Sequence, residues 1–154
     1  MFKITPTPLE KQDLRKGLSS SSAGAFCTFE GWVRDHHQGK KVLYLEYETS
    51  EKLCQREAEK ILHEAEEKFD IFKVRCFHRM GKVQIGEMAV WVGVMSAHRD
   101  AAFGACRHVI DEIKRRLPIW KKEFYQDGTS VWVSCQEDEE HLLQSTLKIE
   151  SIKP

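Results

Sequence analysis

The sequence has no CxxC pair, although it holds five cysteines, at positions 27, 54, 76, 106 and 135. Such scattered thiols exclude a zinc ribbon or a thioredoxin-like redox site as the starting reading. No apolar run approaches the roughly 18 residues that a membrane-spanning helix needs. Residues 1–13, MFKITPTPLEKQD, lack the apolar core of a secretory signal. Reduced, buried thiols in a cytosolic protein are the expectation. Net charge is absent as well, since 24 Lys and Arg balance 24 Asp and Glu. A zero sum excludes a strongly basic nucleic-acid binder. It also leaves self-association unopposed by charge repulsion.

What is present fits one domain over residues 1–154. The chain is 41% hydrophobic and 31% charged, a globular balance. Residues 1–24, with Thr5-Pro6-Thr7-Pro8 and a serine run before Gly24, read as a leader; residues 136–154 read as a C-terminal tail. Ala25 to Arg34 predicts a strand, followed by a loop over 35–41. Val42 to Glu48 alternates, with Leu43, Leu45 and Tyr47 on the dry face. Ser50 predicts an N-cap for a helix to about Lys68, with Leu53, Cys54, Ala58, Ile61, Leu62, Ala65 and Phe69 inward. Phe72 to Arg79 and Met88 to Met95 predict strands, the second buried on both faces. Ser96 predicts the cap of a helix over Arg99 to Arg116, with Ala102, Phe103, Cys106, Val109, Ile110, Ile113 and Leu117 inward and Pro118 as its stop. Trp120 to Tyr125 and Val131 to Cys135 predict a hairpin about Asp127-Gly128. A last helix is expected from Glu137 to about Lys148. The order β, β, α, β, β, α, β, β, α predicts an α+β fold: a mixed, mostly antiparallel sheet covered on one side by helices.

The neutral sum hides a pattern. Arg99 to Lys122 carries seven bases and three acids, whereas Glu123 to Glu140 carries six acids and no base. A basic patch for an anionic small molecule and a set of solvated helix faces both fit. Ser96-Ala97-His98-Arg99-Asp100 opens a helix, where free N–H groups and two cationic side chains suit an anion or simply cap the helix. Lys114 and Lys121 flank Pro118, so their ammonium groups either converge as a nucleophile or base, or lie on the surface. Arg34 ends a strand and either binds phosphate or snorkels. Adjacent His36 and His37 point apart on an extended chain, which argues against a metal site. The tryptophans 32, 91, 120 and 132 are scattered over strands and read as core.

Four segments occur in order: Gly31-Trp32-Val33-Arg34-Asp35-His36, His78-Arg79-Met80-Gly81, Ser96-Ala97-His98-Arg99 and Pro118-Ile119-Trp120-Lys121-Lys122-Glu123. Together they resemble the large, catalytic subunit of molybdopterin synthase, from about Gly24 to Cys135. The resemblance implies an α/β hammerhead-type fold and a homodimer built through its sheets. It also implies two small ubiquitin-like sulfur-carrier subunits, completing a heterotetramer. Their C-terminal Gly-Gly thiocarboxylates convert cyclic pyranopterin monophosphate to molybdopterin in the cytosol, without a cofactor or metal.

By the same resemblance Lys114 and Lys121 are catalytic. Lys114 stands beside the incoming tail and Lys121 activates the substrate. Arg34, His98 and Arg99 bind the anion, and Trp32, Val33, Arg34, Lys121, Lys122 and Glu123 line the pterin pocket. The family pattern has an Arg after the final strand, where this chain has Gln136. The alternative is a non-catalytic dimeric adaptor that docks a ubiquitin-like partner.

Overall fold

A computed structural model describes residues 1–134. Its first sheet has the strand order β1-β5-β7-β2. Strand β1 is Phe2–Thr5, β2 is Ala25–Trp32, β5 is Ile71–Arg79 and β7 is Met88–Ser96. β7 runs antiparallel to both neighbours, and every one of its residues is buried. The expected two-sided burial of that run has two sources. Helices α1 (Glu51–Lys68) and α2 (Arg99–Arg116) pack on one face through residues such as Ala58, Ile61, Val109 and Ile113, against Val74, Val92 and Val94. Leu9, Leu14 and Leu18 pack on the other face, against Phe26, Phe77, Met88 and Trp91. Residues 1–24 therefore do more than lead into the fold: they add β1, paired parallel to β5, and cover the back of the sheet.

The second sheet contains β3 (His36–His37), β4 (Lys40–Thr49), β8 (Ile119–Tyr125) and β9 (Ser130–Ser134), with β6 (Gly81–Gln84) on the other edge of β4. β3 falls in the stretch read as a loop, and β6 falls between two of the expected strands. The β3–β4 turn is tight because Gln38 (φ 49°) and Gly39 (φ 78°) both take the left-handed conformation that a two-residue hairpin needs. The hairpin about Asp127-Gly128 is present as expected. The helix expected at 137–148 lies outside the described residues.

Several inward assignments change. A register shift between Val42 and Tyr44 buries Val42 with Leu45 and Tyr47 and turns Leu43 outward, 49% exposed. Leu53 and Phe103 also face solvent. Ser96 does not cap α2; His98 holds that place, and the Ser96 hydroxyl donates to the His98 carbonyl. Of the four tryptophans only Trp91 is core, whereas Trp32, Trp120 and Trp132 are exposed. Strand alternation explains two of these. Ile119, Lys121, Glu123 and Tyr125 take the inner face of β8, which leaves Trp120 outside, and Trp132 pairs with outward Lys122.

The Trp91 ring lies across Gly93 of the same strand. A β-carbon at Gly93 would clash with the ring. Gly93→Ala is therefore expected to destabilise the protein by about 1–3 kcal/mol through overpacking, read as a lower urea midpoint.

Candidate functional site

A cavity of about 490 Å³ opens where the two sheets meet. Its walls come from the end of β2, the β3–β4 hairpin, the last turns of α2 and the inner face of β8. Two local features bring these together. The β2 register shifts at Gly31/Trp32, after which Val33 still bonds Gly86 and Glu87 through its backbone and Arg34 follows at the rim. Pro118 separates α2 from β8, so Lys114 in the last helical turn and Lys121 on the strand reach one space. The floor is apolar, with Val33, Val42, Leu45, Ile113 and Ile119 buried. Trp32 and Arg34 are exposed at the rim.

The two lysines differ. Lys114 is exposed, and no hydrogen bond or ion pair holds it among the described residues. Lys121 is only 8% exposed, and its Nζ lies 2.8 Å from Glu123 Oε1. The sequence leaves Lys121 either converging with Lys114 or on the surface; the structure puts it in the cavity wall with a carboxylate partner. Glu123 is 2% exposed and also accepts from Tyr125 Oη at 2.7 Å and His37 Nδ1 at 2.6 Å. Burial alone would raise its pKa. The Lys121, Tyr125 and His37 donors outweigh that and hold the carboxyl below the usual glutamate range.

His78, from the His-Arg-Met-Gly segment, lies in the cavity wall. Its pKa falls to about 4, chiefly through burial and also through the nearby Lys114 charge, against the opposing pull of the Arg79 carbonyl, which Nδ1 contacts at 2.7 Å. His78 is therefore a neutral imidazole at physiological pH, with Nδ1–H as the donor.

The cavity thus collects Trp32, Val33, Arg34, Lys114, Lys121 and Glu123. It does not collect the other three expected residues. His98 and Arg99 stand at the start of α2, fifteen residues before Lys114. At about 1.5 Å per residue that is about 22 Å along the helix axis. Both are exposed. Lys122 points to the opposite face of the sheet, with its Nζ over the Phe124 ring at 5.1 Å and the Trp132 ring at 5.4 Å. His37, His78 and Tyr125 went unassigned in the sequence. His78 had a signal, its place in a recognised segment. His37 had none, because its partner Glu123 is 86 positions away. His36 turns to Asp35 instead, at 2.6 Å.

A buried ion pair, an exposed lysine and a rim arginine around an apolar pocket make a concave, enzyme-type setting. Residues 4–116 match the MoaE protein family. The molybdopterin synthase catalytic subunit of Bacillus subtilis is 40% identical over 135 residues, covering 88% of this chain and 85% of that protein. That of Thermoplasma volcanium is 38% identical, covering 84% and 95%. The crystal structure of molybdopterin synthase from Staphylococcus aureus superposes with a TM-score of 0.80 at 34% identity, covering 86% of this chain and 96% of that one. A protein–protein complex of subunits 1 and 2 of molybdopterin-converting factor from Helicobacter pylori superposes at 0.70 and 25% identity, covering 86% and 89%. The chain belongs to the MoaE protein family, and its fold is that of molybdopterin synthase structures.

Proposed function

We propose that this chain is the catalytic subunit of a molybdopterin synthase, working with a small sulfur-carrier subunit in molybdenum cofactor biosynthesis. The observation that carries this reading is the convergence of Lys114, Lys121 and Arg34 on one cavity in a member of this family. Arg34 at the rim suits the phosphate of cyclic pyranopterin monophosphate. The apolar floor suits a flat heterocycle. Exposed Lys114 stands where the C-terminal thiocarboxylate of the small subunit would enter. The thiocarboxylate sulfur bonds to a substrate carbon as oxygen leaves it, a lysine ammonium supplies the proton that the departing oxygen takes, and water then cleaves the carrier's acyl–sulfur bond, leaving the sulfur on the substrate and a carboxylate on the carrier. Lys121, fixed by Glu123, polarises the substrate.

In a homodimer, His98 and Arg99 would serve the cavity of a second copy, since they stand about 22 Å along the helix axis from Lys114 of their own chain. Two small subunits then complete a heterotetramer. The cytosol suits a protein whose described cysteines are all free thiols.

Reconstitution tests the reading. The purified chain, mixed with a thiocarboxylated small subunit and cyclic pyranopterin monophosphate, is expected to yield the dithiolene product. A stable complex that makes no product would leave only the adaptor role.

A further inference from the structure

We propose that His37 is a positioning residue of the sulfur-transfer reaction, acting through Glu123 to fix the ammonium group of Lys121 in the cavity. This rests on the reading of Lys121 as a reacting-site lysine. The argument starts from the two oxygens of one carboxylate. Glu123 Oε1 faces Lys121 at 2.8 Å, and Oε2 takes both His37 Nδ1 at 2.6 Å and Tyr125 Oη at 2.7 Å. Glu123 sits below the usual glutamate range, so at neutral pH it is ionised and can only accept. Nδ1 of His37 must then carry a proton, and the Tyr125 hydroxyl must donate.

A carboxylate held by one ion pair alone can swing about its terminal torsion. Here Oε2 is held from two separate elements. Tyr125 belongs to β8, and its backbone N–H bonds the Thr129 carbonyl at 2.9 Å. His37 comes from β3, fixed by the tight turn through Gln38 and Gly39. With Oε2 held on both sides, Oε1 has one direction left, toward Lys121. Glu123 is thereby a holder of Lys121 rather than a contact for the pterin, which changes the role expected of it. His37 is the member of this set that comes from outside β8, and it ties the lysine strand to the hairpin that follows Arg34.

The test compares donors by position. In His37→Asn the amide N–H stands near the place of Nδ1–H. In His37→Gln it falls near the other ring nitrogen, away from Glu123. His37→Leu has no donor. Each is assayed in single-turnover sulfur transfer with the thiocarboxylated small subunit and cyclic pyranopterin monophosphate, beside Lys121→Ala and the His37→Leu/Lys121→Ala pair. H37L and H37Q are expected to slow the transfer step about ten- to a hundredfold, the scale of a catalytic group misplaced by about 1 Å. H37N should restore most of that rate. H37L should add no loss in the Lys121→Ala background, because the two act as one unit. Small-subunit binding should stay unchanged. An H37L or H37Q protein at wild-type rate beside an inactive Lys121→Ala overturns the proposal and leaves the function reading intact. Equal losses in H37N, H37Q and H37L with a common drop in melting temperature also overturn it, as a purely structural role. A fully active Lys121→Ala overturns the site reading itself.

Discussion

Lys114→Ala is expected to abolish dithiolene formation while leaving the protein as stable as before. The two halves of that expectation have separate causes. Lys114 is exposed, in the last turn of α2, and makes no hydrogen bond or ion pair among the described residues. Removing an exposed lysine of this kind changes stability by less than about 0.5 kcal/mol. The helix end itself is held by Arg116, whose Nε donates to Glu57 at 2.8 Å and Nη2 to Glu64 at 3.0 Å, tying α2 to α1. Alanine at 114 leaves that network intact. The chemistry has no such reserve. General acid–base catalysis by one positioned group is worth about 10²–10⁴ in rate, and in the proposed reaction Lys114 would also supply positive charge for an anionic tail. A loss of at least about a hundredfold in single-turnover rate, with an unchanged melting temperature, is therefore expected. Lys114→Arg tests which property matters. Arg keeps the charge and does not give up its proton near neutral pH. Rescue by Arg would assign Lys114 to electrostatics, and failure would assign it to proton transfer. Full activity in the alanine variant would remove Lys114 from the site.

The lysine spacing alone left convergence and two surface lysines open, and the family resemblance decided between them; the structure shows the local reason for convergence. A helix stopped by Pro118 and a strand resumed at Ile119 place residues 114 and 121 on one side of the turn. The same locality made α1, α2, β7 and the terminal hairpin legible in periodicity and punctuation. What escaped was non-local. β1 pairs with β5 across more than seventy residues, and its four residues, followed by two prolines, give no strand signal of their own. Leu9, Leu14 and Leu18 are apolar at no regular period, so their cover of the back sheet showed only in three dimensions. Leu43 was misread because alternation assumes an unbroken register, and the bulge beside it breaks the period. The motif resemblance carried His98, Arg99 and Lys122 into one pocket with Lys114. Helix length and strand alternation, both available in the sequence, already place them elsewhere in one chain. In the Glu123 network, alternation already puts Lys121, Glu123 and Tyr125 on one face of β8, but His37 left no local trace, since it lies on another hairpin joined to β8 through β4.

That network sets the second large effect, on Glu123→Gln. The substitution keeps shape and volume but replaces a carboxylate with an amide that has only one accepting oxygen. If that oxygen stays with His37 and Tyr125, the NH2 group confronts the Lys121 ammonium, donor against donor. If the amide flips, His37 and Tyr125 lose their acceptor. Either way a lysine 8% exposed loses the carboxylate that balances it. Breaking a buried pair from one side costs about 3–5 kcal/mol. For a two-state domain this is a large share of the whole stability. The pH dependence provides an independent check. Glu123 has a folded pKa below its ordinary value of about 4.5, so the unfolded chain takes up the proton first as pH falls. Its stabilising contribution is complete above that ordinary value and is lost as pH drops through the folded one. The wild-type protein should therefore lose stability over this acid range faster than Glu123→Gln, which has no proton to bind there. The two denaturation midpoints should converge as pH falls below about 4.5. A constant gap between the two proteins down to acid pH would mean that the cost of the substitution is packing alone, and that Glu123 is not the charged centre that holds Lys121.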